Sequence, residues 1–242
     1  MISKLRERFR VNKYAAIERR NREADWRVIV DLGLVDQFTE DYATTGTSGG
    51  DIAFIHDYIK SHQPRRVIEF GSGKSTWVIA KCMERYCWPR YNGDIQFVSM
   101  EESKYWYDQL LKFLPKDKFE HFDDFVKLVY SETEIIRCRH VSGYAYKDIP
   151  VEHFDFCFVD GPDAYDSCDM DFVRLVGASE RPMTALVDKR KSTQIAYASL
   201  FGKSKMKRFH TGLCLIENVS KSDLERTAYK DIFPENEIVL RH

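Results

Sequence analysis

The sequence predicts an α/β protein built on a mostly parallel sheet with helices on both faces. Three observations carry this. Short apolar runs at residues 66–70, 95–100, 154–159 and 184–187 have the length and composition of strands buried on both sides. Stretches with helical spacing of apolar residues separate them. A glycine or an acid closes each run: Gly71 after the first, Glu101 after the second, Asp160-Gly161-Pro162 after the third and Asp188 after the fourth. In a doubly wound sheet such turns open at the carboxyl edge, where ligands bind.

The elements follow in order. Leu5, Phe9, Tyr14 and Ile17 recur at roughly helical spacing and predict an N-terminal helix. Residues 1–27 hold nine Lys/Arg and four Asp/Glu, a net +5, which leaves −6 for the remainder of a chain whose formal charge is −1. Two readings stand for this segment: a solvated helix packed on the main domain, or an interaction arm for a partner or an acidic surface. A polar, glycine-containing loop over 42–50 then leads into a helix over 51–60, with Ser48 or Asp51 as its cap. It should stop before Pro64, because proline disfavours helical geometry in the residue before it.

Arg66 to Phe70 is a strand and 75–86 a helix. A strand over 95–100 and a helix over 103–114 follow, the latter stopped by Pro115. Residues 126–130 suggest a third strand with no evident partner. The run 154–159 is the strongest strand, 169–176 reads as helix, 184–187 as strand, 194–201 as a short helix and 207–216 as a late strand or hairpin. No internal repeat is visible.

Composition excludes several classes. With 43% hydrophobic and 31% charged residues the chain has the material for a sizeable core and is not disordered throughout. The balanced charge excludes a polyanion-coating protein. No apolar run approaches the roughly 18 residues of a membrane helix, and charges stand where a signal peptide has its apolar stretch, so a cytoplasmic protein without a membrane span is expected. Six scattered cysteines without a C-x-x-C pair argue against a zinc ribbon or a disulfide framework, and Cys157, inside an apolar run, reads as a core residue.

Gly71-Ser72-Gly73-Lys74-Ser75-Thr76 ends like a phosphate-binding Walker A loop, but the glycine required five residues before Gly73 is Ile68, inside the strand. The loop is then too short to wrap a phosphate, and a P-loop phosphotransferase is the alternative set aside. A non-catalytic nucleotide-binding module is the other. The dinucleotide fingerprint G-x-G-x-x-G also fails, with Thr76 at its third glycine. The context is more telling: Glu69 stands two residues before Gly71, and Glu101 ends the next strand. Glycines let backbone approach a ligand without a Cβ clash, and a carboxylate at the end of the second strand can accept both hydroxyls of a ribose.

In this order, Val67-Ile68-Glu69-Phe70-Gly71-Ser72-Gly73, then Val98-Ser99-Met100-Glu101, then Phe156-Cys157-Phe158-Val159-Asp160-Gly161-Pro162 resembles the class I S-adenosylmethionine-dependent methyltransferases. The resemblance is closest to a bacterial-type branch with a Glu-Phe-Gly-Ser-Gly-x-Ser-Thr first motif and a Val-Asp-Gly-Pro fourth strand, and covers about residues 48–218. It implies a Rossmann-like, seven-stranded sheet in the order 3-2-1-4-5-7-6. It implies a methyltransferase domain over 48–242 with a helical extension over 1–47, and S-adenosylmethionine as cofactor. Glu69, Gly71 and Gly73, with Ser72 and Ser75 of the same turn, would line the methionine end. Glu101 would hold the ribose, Tyr130 and Ser131 would lie near the adenine, and Asp160 would sit beside the sulfonium.

Some small-molecule O-methyltransferases of this class bind a divalent metal through acids after strands four and five and an adjacent Asn. Asp160 and Asp188 match the acids, but Lys189 follows Asp188, and its charge opposes a metal. No metal is therefore expected. Asp160 and Asp188 are the candidate catalytic groups, with His140 and His210 as further candidate bases that can equally be structural. Tyr144 and Tyr146 are candidate pocket walls, or ordinary packing. Residues 148–171 hold eight acids and no Lys or Arg, whereas 181–208 hold eight Lys/Arg and one acid. Lys189 and Arg190 fall at the edge expected to face substrate, which suits a small anionic acceptor such as a phosphorylated, nucleotide-linked or carboxylated metabolite. The bland alternative is a basic surface paired with the acidic segment. No RNA-binding module accompanies the patch, so nucleic acid is not the expected partner. The acceptor atom, oxygen or nitrogen, and the oligomeric state stay open.

Overall fold

The structure is a computed structural model that describes residues 2–39, 50–162 and 167–226. The expected boundary between residues 47 and 48 and the proposed cap Ser48 lie outside the described residues. By contacts the chain forms two compact units, each assembled from separated segments: residues 1–65, 72–97 and 104–127, and residues 66–71, 98–103 and 128–242.

The first unit is helical. It holds α1 (Ile2–Asp31), α2 (Val35–Thr39), α3 (Asp51–His62), α4 (Lys74–Cys82), α5 (Trp88–Tyr91), α6 (Lys104–Lys112) and α7 (Phe122–Phe125). α3 starts from Gly50, which has no capping side chain. Its open donors are met from α1 instead: Asp25 accepts the N–H groups of Gly50 at 2.5 Å and Ala53 at 2.8 Å. A buried carboxylate thus supplies the cap expected of Ser48 or Asp51, and its charge suits the positive end of a helix. α3 ends as expected before Pro64, with Gln63 in the left-handed region at φ 47°. The helix expected over 75–86 is α-helical only to Cys82. A π turn over Met83–Cys87 follows, in which Trp88 N–H reaches the Met83 carbonyl. Pro89, which has no N–H and crowds the carbonyl four residues back, sits just beyond this widened turn.

The second unit carries the sheet. Its strands are β1 (Arg66–Phe70), β2 (Gln96–Glu101), β3 (Val126–Tyr130), β4 (Thr133–Cys138), β5 (Val141–Tyr146), β6 (Phe156–Val159), β7 (Met183–Val187), β8 (Met206–Arg208) and β9 (Cys214–Val219). The first residues of β2 and β3 belong to the helical unit. Seven strands form one sheet in the order β3-β2-β1-β6-β7-β9-β8, and β4 and β5 form a separate two-stranded sheet. The chain therefore departs from the expected numbering by two strands. The β4–β5 pair is an extra hairpin; within the large sheet alone the strands run third, second, first, fourth, fifth, seventh, sixth. β3 finds its partner in β2. β1, β6 and β7 pair in parallel, and β9 is antiparallel to both β7 and β8.

β1, β6 and β7 are buried on both faces, since successive residues Val67 and Ile68, Cys157 and Phe158, and Ala185 and Leu186 are all inaccessible. This is why they read as continuous apolar runs. α8 (Asp171–Ala178) and α9 (Lys191–Phe201) share the core of this unit with Ile68, Phe70, Met100 and Val159. Phe172 of α8 lies 5.7 Å from the rings of both Tyr197 and Phe201 of α9. Truncating a buried aromatic so placed costs about 3–5 kcal/mol. The short α10 (Lys221–Arg226) packs on α8 and α9. All six cysteines are free thiols. Among the described residues no helix is long and apolar enough to cross a membrane.

Candidate active site

The strand order sets β2, β1, β6 and β7 side by side, so their carboxyl ends carry Glu101, Gly71, Asp160 and Asp188 along one edge. Backbone bonds hold these ends together. Gly71 N–H donates to the Met100 carbonyl at 3.0 Å, Asp160 N–H to the Phe70 carbonyl at 2.8 Å, and Asp188 N–H to the Val159 carbonyl at 3.0 Å.

Gly71 has φ +90°, and a Cβ there would lie 2.6 Å from Gly161 N. A Cβ on Gly161 would lie 2.5 Å from Gly71 Cα. Two glycines are thus needed for the turns after β1 and β6 to touch, backbone on backbone. Glu69, one of the acids singled out in the sequence, is completely buried, and its Oε2 accepts the Ser99 hydroxyl of β2 at 2.6 Å. Glu101 is 4% exposed, and its Oε1 accepts Ser103 N–H at 2.8 Å. Ser131 N–H donates to the Glu101 carbonyl at 3.0 Å, so Ser131 stands beside the end of β2. Ser131 also accepts Asp148 N–H at 3.0 Å on its hydroxyl. Ser72, Gly73 and Ser75 belong to the helical unit. There Gly73 N–H donates to Thr76 Oγ1 at 2.9 Å, Ser75 is buried, and the Lys74 ammonium lies 5.4 Å from the Phe38 ring.

The acids at the ends of β6 and β7 meet. The charge of Asp188 acts on the Asp160 carboxyl, so the two disfavour being ionised together. Burial, then the charge of Asp188, pushes the Asp160 carboxyl up to about 8, with Arg190 pulling the other way and Glu69 adding to the rise. Arg190 is committed to the same turn. Its Nη1 donates to the Pro162 carbonyl at 2.6 Å, its Nη2 to the Asp160 carbonyl, and its Nε lies 3.7 Å from Asp160 Oδ1. The sequence offered Arg190 as a substrate group; here each of its Nη atoms donates to a carbonyl of the Asp160–Pro162 turn, while its buried Nε finds no hydrogen-bond acceptor among the described residues.

Lys189 is exposed, and among the described residues no carboxylate pairs with it. Its stem packs on Gly212, where a Cβ would come within 2.8 Å of Lys189 Cγ. Gln194 Nε2 fastens this arrangement by donating to the carbonyls of Asp188 at 2.8 Å and Gly212 at 2.9 Å. His210 lies in the same turn between β8 and β9.

Tyr144 and Tyr146 belong to β5 and His140 to the turn before it. Tyr146 is wholly buried; its ring centroid lies 6.1 Å from that of Phe70, and its hydroxyl donates to Glu102 Oε2 at 2.8 Å. Its neighbour Tyr144 pairs by backbone with residues 168–170. His140 sits in the β4–β5 turn against Ser199, more than two turns along α9 from the carboxyl edge. Burial lowers its pKa. The sequence reading missed Gly161 as a packing glycine, Arg190 as a clamp, and Gln194 as the tie behind Lys189. Only Gly161 had a visible signal, its place in Asp160-Gly161-Pro162.

No protein-family model and no curated protein matches the sequence. Solved structures do. A Klebsiella pneumoniae structure assigned to the O-methyltransferases superposes with TM-score 0.52 at 12% identity, covering 84% of this chain and 100% of that one. The Podospora anserina methyltransferase PaMTH1, solved with SAH bound, superposes with TM-score 0.50 at 14% identity, covering 80% of this chain and 88% of that one. At such identities the likeness establishes architecture: this chain has the Rossmann-like fold shared by these methyltransferases.

Proposed function

We propose that the chain is an S-adenosylmethionine-dependent methyltransferase acting on a small anionic acceptor, at oxygen or nitrogen. One observation carries the reading: glycine and three acids, Gly71, Glu101, Asp160 and Asp188, stand at the carboxyl ends of four neighbouring strands. The SAH held by the Podospora methyltransferase of the same fold supports it.

The residues fit such a cofactor. Gly71 presents backbone without a Cβ, and Glu101 offers carboxylate oxygens where ribose hydroxyls need acceptors. The cofactor supplies an electrophilic methyl group, and the protein aligns the acceptor and excludes water. Asp160, in the fraction that has released its own proton to solvent, takes the proton of the acceptor hydroxyl or amine as the methyl group is transferred. A carboxyl raised to about 8 is a stronger base near neutral pH than an ordinary aspartate. Arg190 orients Asp160 and supplies the local positive charge. With that guanidinium 3.7 Å from Asp160 and Lys189 next in the chain, a divalent ion at the pair would meet two cations, which supports metal-independent transfer. Lys189, ordered on Gly212 and exposed, is suited to an acceptor phosphate or carboxylate.

The test is transfer of labelled methyl from S-adenosylmethionine to a panel of phosphorylated, nucleotide-linked and carboxylated metabolites. Turnover that survives EDTA, with a KM for acceptor that rises in Lys189→Gln and less so at high salt, is expected. Turnover abolished by EDTA and restored by magnesium contradicts metal independence, and a neutral acceptor indifferent to Lys189→Gln contradicts the anionic assignment.

A further inference from the structure

We propose that Asp169 and Asp171 form a proton-operated latch that holds residues 167–171, the chain returning from the Asp160 turn, onto β5 and α9. The inference is independent of the methyltransferase reading and stands on a side-chain cluster outside the site described above.

Residues 167–171 run beside β5. Tyr144 N–H donates to the Cys168 carbonyl at 3.0 Å, and Met170 N–H returns a bond to the Tyr144 carbonyl at 2.8 Å. Asp169 is 2% exposed and Asp171 fully buried. Asp169 Oδ1 accepts the Tyr197 hydroxyl of α9, and Asp169 N–H donates to Thr193 Oγ1 of the same helix at 3.0 Å. Asp171 Oδ1 accepts Tyr146 N–H of β5 at 2.9 Å. The two remaining oxygens, Oδ2 of each acid, are buried and accept no other hydrogen bond among the described residues. Each carboxyl group acts on the ionisation of the other, which places the two side by side. Two carboxylates cannot share that space as anions, so one proton lies between them and satisfies both orphaned oxygens.

The surroundings favour keeping that proton. Tyr146 and Tyr197 are held neutral by burial, and so are the thiols of Cys157 on β6 and Cys168. The charged groups facing the pair are Arg174 of α8 towards Asp171 and Arg190 towards Asp169, and both favour ionisation. Burial outweighs them. It raises Asp169 to about 6, and burial with the charge of Asp169 raises Asp171 well above the usual carboxyl range. The folded state therefore binds the proton more tightly than the unfolded chain. The stabilisation is complete at acid pH and is lost as pH rises through the pair's alkaline titration. Beyond it two buried negative charges repel across the joint between residues 167–171, β5 and α9, and the latch opens.

Amide exchange by NMR reads the latch directly. Protection factors for Tyr144, Tyr146, Asp169 and Met170 should fall about tenfold or more between roughly pH 6.5 and 10, while amides of β1 and β6 keep theirs. In Asp171→Asn, whose amide donates to Asp169 without a titrating proton, that fall should vanish. Equal pH dependence in wild type and Asp171→Asn, or none in wild type, overturns the proposal. Tyr197→Phe removes a donor that favours the Asp169 carboxylate and keeps the test open should the Asn variant fail to fold. The opening midpoint should move to higher pH, and an unmoved midpoint contradicts the latch.

Discussion

Gly71 and Gly161 touch backbone to backbone at the carboxyl ends of neighbouring parallel strands, with room for a Cβ on neither. Gly71→Ala should therefore destabilise the protein by about 2–4 kcal/mol, adding strain at positive φ to overpacking. Gly161→Ala should behave alike, through overpacking alone. Urea denaturation of both variants checks this, and wild-type midpoints would show that the contact tolerates a methyl group.

Asp160 gives a pH dependence of known sign. Its carboxyl is raised from 3.8 to about 8 in the folded protein. The folded state holds the proton more tightly, so this contribution to stability is complete below about pH 4 and is lost as pH rises through about 8. Asp160→Asn removes the titration. Its stability relative to wild type should improve steadily from pH 5 to pH 9, measured by thermal unfolding in a buffer series. A constant difference across that range would mean that Asp160 titrates normally.

Arg190 should matter to the turn before it matters to any substrate. Arg190→Gln shortens the reach to the carbonyls of Asp160 and Pro162 and removes the charge beside Asp160. A loss of about 1–3 kcal/mol is expected. The Asp160 titration should also move to higher pH, because the guanidinium is what favours its ionised form. Carboxyl chemical shifts followed by carbon NMR measure the second effect separately from the first.

Glu101 is the acid best placed for a ribose. Glu101→Ala should weaken S-adenosylhomocysteine binding by roughly 1.5–3 kcal/mol, the range for hydrogen bonds to charged groups. The variant should keep its circular dichroism spectrum, because Glu101 is the last residue of β2 and its carboxylate caps Ser103 N–H beyond the strand. Unchanged affinity in the folded variant would move the ribose partner elsewhere. Glu102, the adjacent acid, already accepts the Tyr146 hydroxyl.

What was legible in the sequence follows from burial. β1, β2, β6 and β7 are buried on both faces and announce themselves as apolar runs, and their ends located Gly71, Glu101, Asp160 and Asp188. The β4–β5 hairpin was not legible. Its residues are mostly half-buried or exposed, Ile135 is 69% exposed, and its turn uses Arg139 at φ 56° where glycine or asparagine would have been a signal. The π turn after α4 was hidden for a different reason: Met83 and Cys87 continue a helical apolar stripe, and the ladder widens within it. Side-chain ties between distant segments left no pattern either. Asp25 capping α3 and Asp169 accepting the Tyr197 hydroxyl depend on tertiary placement, which periodicity does not encode.

The central claim is the identity of the cofactor, and calorimetric titration of the full chain with S-adenosylhomocysteine, alongside ATP with magnesium, tests it most directly. The account predicts micromolar-scale binding of S-adenosylhomocysteine, stabilising the fold by about 2.7 kcal/mol at a hundredfold excess over its dissociation constant. ATP with magnesium should not bind. No heat with S-adenosylhomocysteine and clear binding of ATP with magnesium would contradict it, and would return Gly71 to Thr76 to the phosphate-binding reading.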